Sequence, residues 1–254
     1  MKKLLISPIA LLGSLSMAHS QDTQAWQEAN NLYVSGEYAQ AAIAYQNILD
    51  THALSRKSQA LALYNLGNAQ FKSGELAQAI LAYERSLRLH PTDANTRYNL
   101  AFAQSRIVDN IEDNQAFFVA NWLKYIRNLL TLDTWLWLSI ICFSLTIAGL
   151  ILFLLSGQPG LRKSAFWVAV IALFICIAAS ANAASLHRRD TLRSEAIVTR
   201  GIVNAKASPD KSGTELFTLH EGTKVTIIET VGQWCNVHVG NNIGWLPLST
   251  IERI

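Results

Sequence analysis

The sequence predicts a multi-domain chain with an all-α array of helical repeats, two transmembrane helices and a small all-β barrel, in that order. A seven-residue motif that recurs at an offset of 38 residues indicates the repeats. Two uncharged apolar stretches in the middle of the chain indicate the transmembrane helices. A change to a period of two after Glu195 indicates strands. The 254 residues leave room for two small domains beside the membrane segments.

The amino-acid composition argues against a wholly soluble globular protein and against a nucleic-acid-binding protein. Half of the residues are apolar and 15% are charged, whereas about a quarter of the residues of a soluble globular domain are charged. The net charge is only +3 and the basic residues are dispersed, which argues against nucleic-acid binding. The three cysteines, Cys142, Cys176 and Cys235, are not spaced as a disulfide framework.

The first 20 residues are typical of a secretory signal peptide. Two lysines precede the apolar stretch Leu4–Met17, and the small residues Ala18 and Ser20 stand where cleavage before Gln21 requires them. The apolar stretch is shorter than the roughly 20 residues that span a bilayer. We therefore predict export with cleavage over residues 1–20, and the alternative of an uncleaved anchor helix stays open.

The repeat motif is SGEYAQA from Ser35 to Ala41 and SGELAQA from Ser73 to Ala79. Each copy is followed by a tyrosine four residues after its last alanine. The segment from Ala60 to Pro91 resembles a tetratricopeptide repeat. That resemblance implies the packing pair Leu66 and Gly67, Gly74 at the end of helix A, Ala79 at the helix crossing, Tyr83 as the plug and Pro91 after helix B.

We predict that this array occupies residues 21–110. The first repeat carries Ala29 where the second has its packing glycine. The extra four residues of the offset are expected in a loop over Thr51–Gln59, and a capping helix is expected from Ala94 to about Val108. Residues on the concave face of the A helices form a candidate peptide-binding groove. They are Trp26, Asn30, Tyr64, Asn65, Asn68, Asn95 and Asn99.

The chemistry of these side chains suits a peptide ligand, because an asparagine amide both donates and accepts hydrogen bonds and the aromatic rings supply apolar contact. The alternative is a simple spacer, since exposed asparagines are also solvated.

The middle of the chain predicts a membrane hairpin. Thr134–Leu155 and Ser164–Leu186 carry no charge and are apolar on every face, so only lipid or a much larger protein can cover them. We assign transmembrane helices to 132–155 and 164–186, and a tight cytoplasmic loop containing Arg162 and Lys163 to residues 156–163. With the signal peptide, this places both folded domains on the periplasmic side of the inner (cytoplasmic) membrane.

Small residues form one stripe on each spanning segment, which favours close helix packing, although alanine is also common in such helices. The stripes are Ser139, Cys142, Thr146 and Gly149 on the first, and Ala169, Ala172, Cys176, Ala179 and Ala183 on the second. Trp135 and Trp137 are expected at the outer interface as aromatic anchors. Neither interior holds an ionisable residue, so ion transport has no candidate carrier.

Residues 111–131 predict an amphipathic helix. Its apolar face carries Phe118, Trp122, Tyr125, Ile126 and Leu129. We expect it to lie on the membrane surface; packing on the repeat array as a further cap is the alternative.

Short strands separated by turn signals predict a small barrel within residues 187–254. The predicted strands are Glu195–Thr199, Lys224–Glu229, Trp234–Val239 and Ile243–Leu246. The elements from Gly222 to Val225 and at Gly244 and Trp245 resemble a bacterial SH3-like domain. That resemblance implies a binding or targeting module, in some cases for cell-wall peptides. Trp234 is a candidate surface residue, and Trp245 is expected in the framework.

No residue pattern predicts an enzyme, a cofactor or a metal site. Cys235 and His238 are three apart on a predicted strand, so they point to opposite faces, and Cys235 is expected in the core. The other histidines show no metal-ligand spacing.

The complete order of elements resembles BatE-like proteins of the Bacteroides aerotolerance (Bat) operons. This resemblance implies an envelope complex with membrane partners that contain von Willebrand factor A domains, and a link to oxygen or envelope stress. Two hypotheses follow. In one, the chain is a scaffold whose groove binds a membrane or exported protein. In the other, the SH3-like domain binds peptidoglycan and the repeats are a spacer.

Overall fold

The computed structural model describes residues 23–51, 53–109, 122, 125–192 and 194–254. The chain forms two compact units, one of Met1–Ile111 with Glu195–Ile254 and one of Glu112–Ser194. The predicted signal peptide and most of the predicted amphipathic helix lie outside the described residues.

The first unit begins with five helices, which confirms the predicted helical repeats. They are α1 (residues 23–34), α2 (Tyr38–Thr51), α3 (Arg56–Ser73), α4 (Leu76–Leu89) and α5 (Ala94–Gln104). The A and B helices of each repeat are joined by tight turns in which Gly36 and Gly74 have φ angles of 84° and 92°. Side chains with a Cβ disfavour this left-handed conformation, so the Ser-Gly-Glu motif ends helix A.

The packing pair and the plug contact each other as the repeat resemblance implies. A Cβ atom built on Gly67 would lie 2.6 Å from the Cε1 atom of Tyr83, so the glycine makes room for the ring. Tyr83 is only 2% exposed, as is Tyr45 at the equivalent position of the first repeat. The first repeat tolerates Ala29 at the glycine position, where it is fully buried.

The extra residues of the 38-residue offset do not form the predicted loop. Arg56–Gln59 instead make an additional first turn of α3, which begins at Arg56. Ser55 caps this turn, since its hydroxyl accepts a hydrogen bond from the Ser58 amide at 3.1 Å. The Arg56 Nε atom donates to the Leu89 carbonyl at 3.2 Å and holds the turn against the end of α4.

The second unit contains α6 (Leu132–Leu155) and α7 (Pro159–Leu192). Both helices are long and apolar enough to cross a membrane. The predicted loop at 156–163 is too long: residues 156–158 alone connect the helices. Pro159 instead starts α7, because a proline at the first helical position lacks only an amide hydrogen that would have no partner there.

The small-residue stripes pack against each other, as predicted. A Cβ on Gly149 would lie 3.0 Å from that of Ala169, and the Ser139 Oγ atom lies 3.7 Å from the Cys176 Sγ atom. Ser180, which was not in the predicted stripe, also contacts Ser139, with the hydroxyl oxygens 2.7 Å apart. The expectation for Trp135 is wrong. Its side chain is 8% exposed and packs between the helices, with its Nε1 atom donating to the Arg127 carbonyl at 3.1 Å. Trp137 is 65% exposed, and its location at the outer interface stays a prediction.

The chain ends in a seven-stranded antiparallel sheet, which confirms the all-β prediction and adds three strands to it. The strands are β1 (Glu195–Val198), β2 (Ile202–Lys206), β3 (Glu215–His220), β4 (Lys224–Val231), β5 (Trp234–Val239), β6 (Asn242–Pro247) and β7 (Ile251–Arg253), in the order β3-β2-β6-β5-β4-β1-β7. β2, β3 and β7 were not predicted. A Cβ on Gly244 would lie 3.1 Å from the Phe217 ring, so the Gly-Trp element admits that ring to the core.

Substitutions at Gly67 test the helix contact of the second repeat. We expect Gly67→Leu to lower the free energy of unfolding by about 3 kcal/mol, because the larger side chain displaces the Tyr83 ring. Gly67→Ala is the intermediate case: its Cβ would lie 2.6 Å from the Tyr83 ring, so the ring must shift, and we expect a smaller loss than for Gly67→Leu. Chemical denaturation of the full chain in detergent measures both, and wild-type stability of Gly67→Leu would contradict the packing role.

Candidate binding surfaces

The predicted groove residues lie on three helices: Trp26 and Asn30 on α1, Tyr64, Asn65 and Asn68 on α3, and Asn95 and Asn99 on α5. Around the second repeat, Tyr64, Asn68, Tyr83 and Asn99 form a network that joins α3, α4 and α5. The Asn68 Oδ1 atom accepts hydrogen bonds from the Tyr83 hydroxyl and from Asn99 Nδ2, both at 2.8 Å. Asn99 Nδ2 also lies 3.4 Å from the Tyr64 hydroxyl oxygen. Asn68 and Asn99 therefore have a structural role, since their hydrogen bonds hold α3, α4 and α5 together.

The same arrangement occurs in the first repeat. The Tyr45 hydroxyl donates to Asn30 Oδ1 at 2.6 Å, and the Trp26 ring packs edge-on against the Tyr45 ring with centroids 6.3 Å apart. Burial raises the pKa of Tyr45 and, more strongly, that of Tyr83, so both phenols stay protonated donors. Each repeat thus contains one buried tyrosine that fixes one groove asparagine.

Asn65 and Asn95 differ from these asparagines. Asn65 is half-buried and Asn95 is exposed. Within the described part of the chain neither side chain makes a hydrogen bond. These two amides retain their full hydrogen-bonding capacity for a ligand, which makes them the best residues at which to test binding.

Two exposed aromatic side chains on α5 were not among the predicted groove residues. Tyr98 is 73% exposed and Phe102 is 44% exposed. The Phe102 ring lies 5.6 Å from that of Phe71 and has the Arg106 guanidinium 5.1 Å above it. Tyr98 lies one 34-residue repeat after Tyr64, and this spacing would have identified it.

The sheet presents a second surface, which we call the tryptophan face. It consists of Trp234, Asn236 and His238 on β5, opposite Pro247, Trp245 and Ile243 on β6. Both tryptophans are half-buried, so each ring is partly in the framework and partly available to a ligand.

The opposite face of β5 forms the core of the sheet. Cys235 is fully buried, and its thiol donates to the Leu246 carbonyl at 3.3 Å. Burial raises the pKa of this thiol to about 11, so it stays protonated at neutral pH. Cys235 is a core residue, as predicted.

The structure also shows a contact that the sequence did not predict: the sheet packs directly on the repeats. Ile197 and Ile254 are 0% and 5% exposed and share an apolar cluster with Ile80, Tyr83 and Leu100. We call this cluster and the polar contacts around it the repeat–sheet contact.

Charged side chains surround this cluster. Arg85 pairs with Glu252 at 3.0 Å, and the Lys224 ammonium lies 3.1 Å from Glu84 and 3.2 Å from Glu195. Arg88 donates to the backbone oxygen of Ile254. These contacts involve α4, β1, β7 and the beginning of β4, so β5 and β6 contribute nothing to them.

Asp109 fixes the turn between β3 and β4 to the segment that follows α5. Its Oδ2 atom accepts from the His220 amide at 2.8 Å and from the Thr223 hydroxyl at 2.6 Å. Its Oδ1 atom lies 2.6 Å from His220 Nδ1. Burial raises the pKa of Asp109, but the hydrogen bonds from Thr223 and His220 outweigh it, and the net pKa is lowered.

No group of three or more potential metal ligands occurs among the residues that the structure describes.

Comparisons with known proteins agree with this architecture. Residues 60–93 match the family model of the tetratricopeptide repeat, and residues 202–252 match that of the bacterial SH3 domain. No curated protein matches the chain. The two domain types support a binding or scaffolding role, the first through protein partners.

Removing the Asp109 carboxylate tests the repeat–sheet contact. We expect Asp109→Ala to lower the free energy of unfolding of the full chain by about 2 kcal/mol, since it leaves the buried Thr223 hydroxyl without its acceptor. Asp210→Ala, which removes an exposed carboxylate that bonds only within its own turn, should have a much smaller effect.

The stability difference between the wild type and Asp109→Ala should depend on pH, and the direction follows from the pKa shift of Asp109. Because folding lowers the pKa of Asp109, its contribution is complete above the unfolded value of about 3.9 and disappears as the pH falls through the folded pKa. Denaturation in detergent between pH 7 and pH 3 measures it. A larger loss of stability from Asp109→Ala at pH 3 than at pH 7 would contradict this role of Asp109.

Proposed function

We propose that this protein is a membrane-anchored, non-catalytic scaffold that docks partner proteins through the surface formed by its helical repeats. The observation that carries the proposal is the unsatisfied polar and aromatic surface of α3 and α5. Asn65 and Asn95 have no internal hydrogen-bond partner in the described structure, and Tyr98 exposes most of its ring. Such side chains suit an extended peptide, whose backbone needs both donors and acceptors.

Chain connectivity supports the proposed membrane topology. Two apolar helices separate the repeats from the sheet in sequence, yet the repeats and the sheet pack together. An even number of crossings is the arrangement that allows this contact. The N-terminal sequence is typical of export, and Arg162 and Lys163 in the connecting turn suit the cytoplasmic side. We therefore assign both domains to the periplasmic side of the inner membrane.

The order of domains supports a more specific role. Repeats, an apolar hairpin and a bacterial SH3-like domain occur in the order found in BatE-like proteins. The partners would then be Bat membrane proteins with von Willebrand factor A domains, in a complex that protects against oxygen or envelope stress. Such a complex needs a surface that binds a protein rather than a small molecule, and the helical repeats would supply it.

The tryptophan face favours a second candidate function, which is binding to peptidoglycan. Trp234 and Trp245 are half-buried, and neither is among the residues of the repeat–sheet contact. Aromatic rings of this kind supply flat apolar area for sugars and short peptides. In this case the repeats would serve as a spacer that supports the sheet.

Site-specific photo-crosslinking in the native membrane tests both candidates. A benzophenone side chain at position 95 should form an adduct with a membrane or exported protein, and Asn65→Ala should reduce its yield severalfold. The matched control is position 40 on α2, where Gln40 is also exposed and where little adduct is expected. Equal yields at positions 40 and 95 would sink the scaffold proposal. An adduct to wall glycopeptide at position 234, without one at 95, would establish the second candidate instead.

A further inference from the structure

The turn between α6 and α7 contains an open cavity of about 540 Å³. Its walls combine two phenylalanine rings with two cationic side chains and the turn backbone. The lining residues are Phe153, Ser156, Gly157, Pro159, Arg162, Lys163 and Phe166. It lies at the point where both apolar helices end, which for a spanning hairpin is the level of the lipid headgroups.

The cavity has an apolar wall. The rings of Phe153 and Phe166 have centroids 5.7 Å apart, and one ring comes from each helix. The Arg162 guanidinium lies 4.7 Å from the centroid of Phe153. A cation–π contact at this distance orients the guanidinium without neutralising its charge.

The charge of the cavity is not compensated within the hairpin. The sequence contains no Asp or Glu between Asp133 and Asp190. Arg162 and Lys163 are both exposed, and neither makes an ion pair within the part of the chain that the structure describes. An anion that carries an apolar group is therefore the complementary occupant.

We propose that this cavity is a binding site for the phosphate of an anionic phospholipid, with Arg162 and Lys163 on the phosphate and the two phenylalanine rings against the glycerol and upper acyl chain. The proposal rests on the spanning hairpin of the proposed function. A lipid is favoured over a free anion because the rings give apolar contact next to the charges, and because a site at this depth faces lipid headgroups at very high local concentration.

Native mass spectrometry of the full-length protein in detergent tests the site with phosphatidylglycerol, and with phosphatidylcholine as the zwitterionic comparison. We expect the wild type to retain phosphatidylglycerol selectively. Each cation removed should weaken retention about fivefold, so Arg162→Gln with Lys163→Gln should weaken it about 25-fold. Arg188→Gln is the control, because Arg188 is an exposed cation near the other end of α7, and it should stay within about twofold of the wild type.

Three results would overturn the lipid site. The double variant could hold phosphatidylglycerol as well as the wild type does. The wild type could retain both lipids equally, or millimolar inorganic phosphate could displace the lipid. Alkaline carbonate extraction separates these results from failure of the hairpin: extraction of the wild type from membranes overturns both proposals, whereas lost lipid selectivity in an integral protein overturns the lipid site alone.

Discussion

The repeat–sheet contact is the constraint on which the rest of the architecture depends. Ile197 and Ile254 come from the sheet but are buried in the core of the second repeat. Burying an isoleucine side chain contributes about 2 kcal/mol, and ion pairs and the Asp109 hydrogen bonds surround the cluster. Residues before and after the apolar hairpin meet here, so a hairpin that spans a membrane has to return the chain to the side from which it left.

The same contact explains how so short a repeat array is completed. Among the described residues, α5 is the last helix of the array, and an open array end would expose Ile80 and Leu100 to water. The sheet covers this end instead, so the bacterial SH3-like domain acts as the cap of the array. Its tryptophan face and the groove side chains remain partly exposed, which leaves one compact unit with two candidate binding surfaces.

Local patterns predicted most of the fold. These patterns are the Ser-Gly-Glu motif, the pair of Gly67 and Tyr83, and the charge-free segments. Each depends either on neighbours a few residues away or on a fixed repeat period, and both kinds of pattern can be read directly from a sequence. The network around Asn68 and the role of Asp109 join residues far apart in the chain, so no local pattern reports them. The burial of Trp135 was missed for the same reason, since it depends on the alanines of the partner helix.

Cysteine labelling from one side of the membrane tests the shared location of the repeats and the sheet most directly. Lys72→Cys on α3, Gly157→Cys in the hairpin turn and Lys211→Cys before β3 each replace an exposed residue, and the wild type reports background from Cys142, Cys176 and Cys235. In intact spheroplasts an impermeant maleimide should label positions 72 and 211, and should label position 157 after lysis only. Positions 72 and 211 on opposite sides of the membrane would contradict the account.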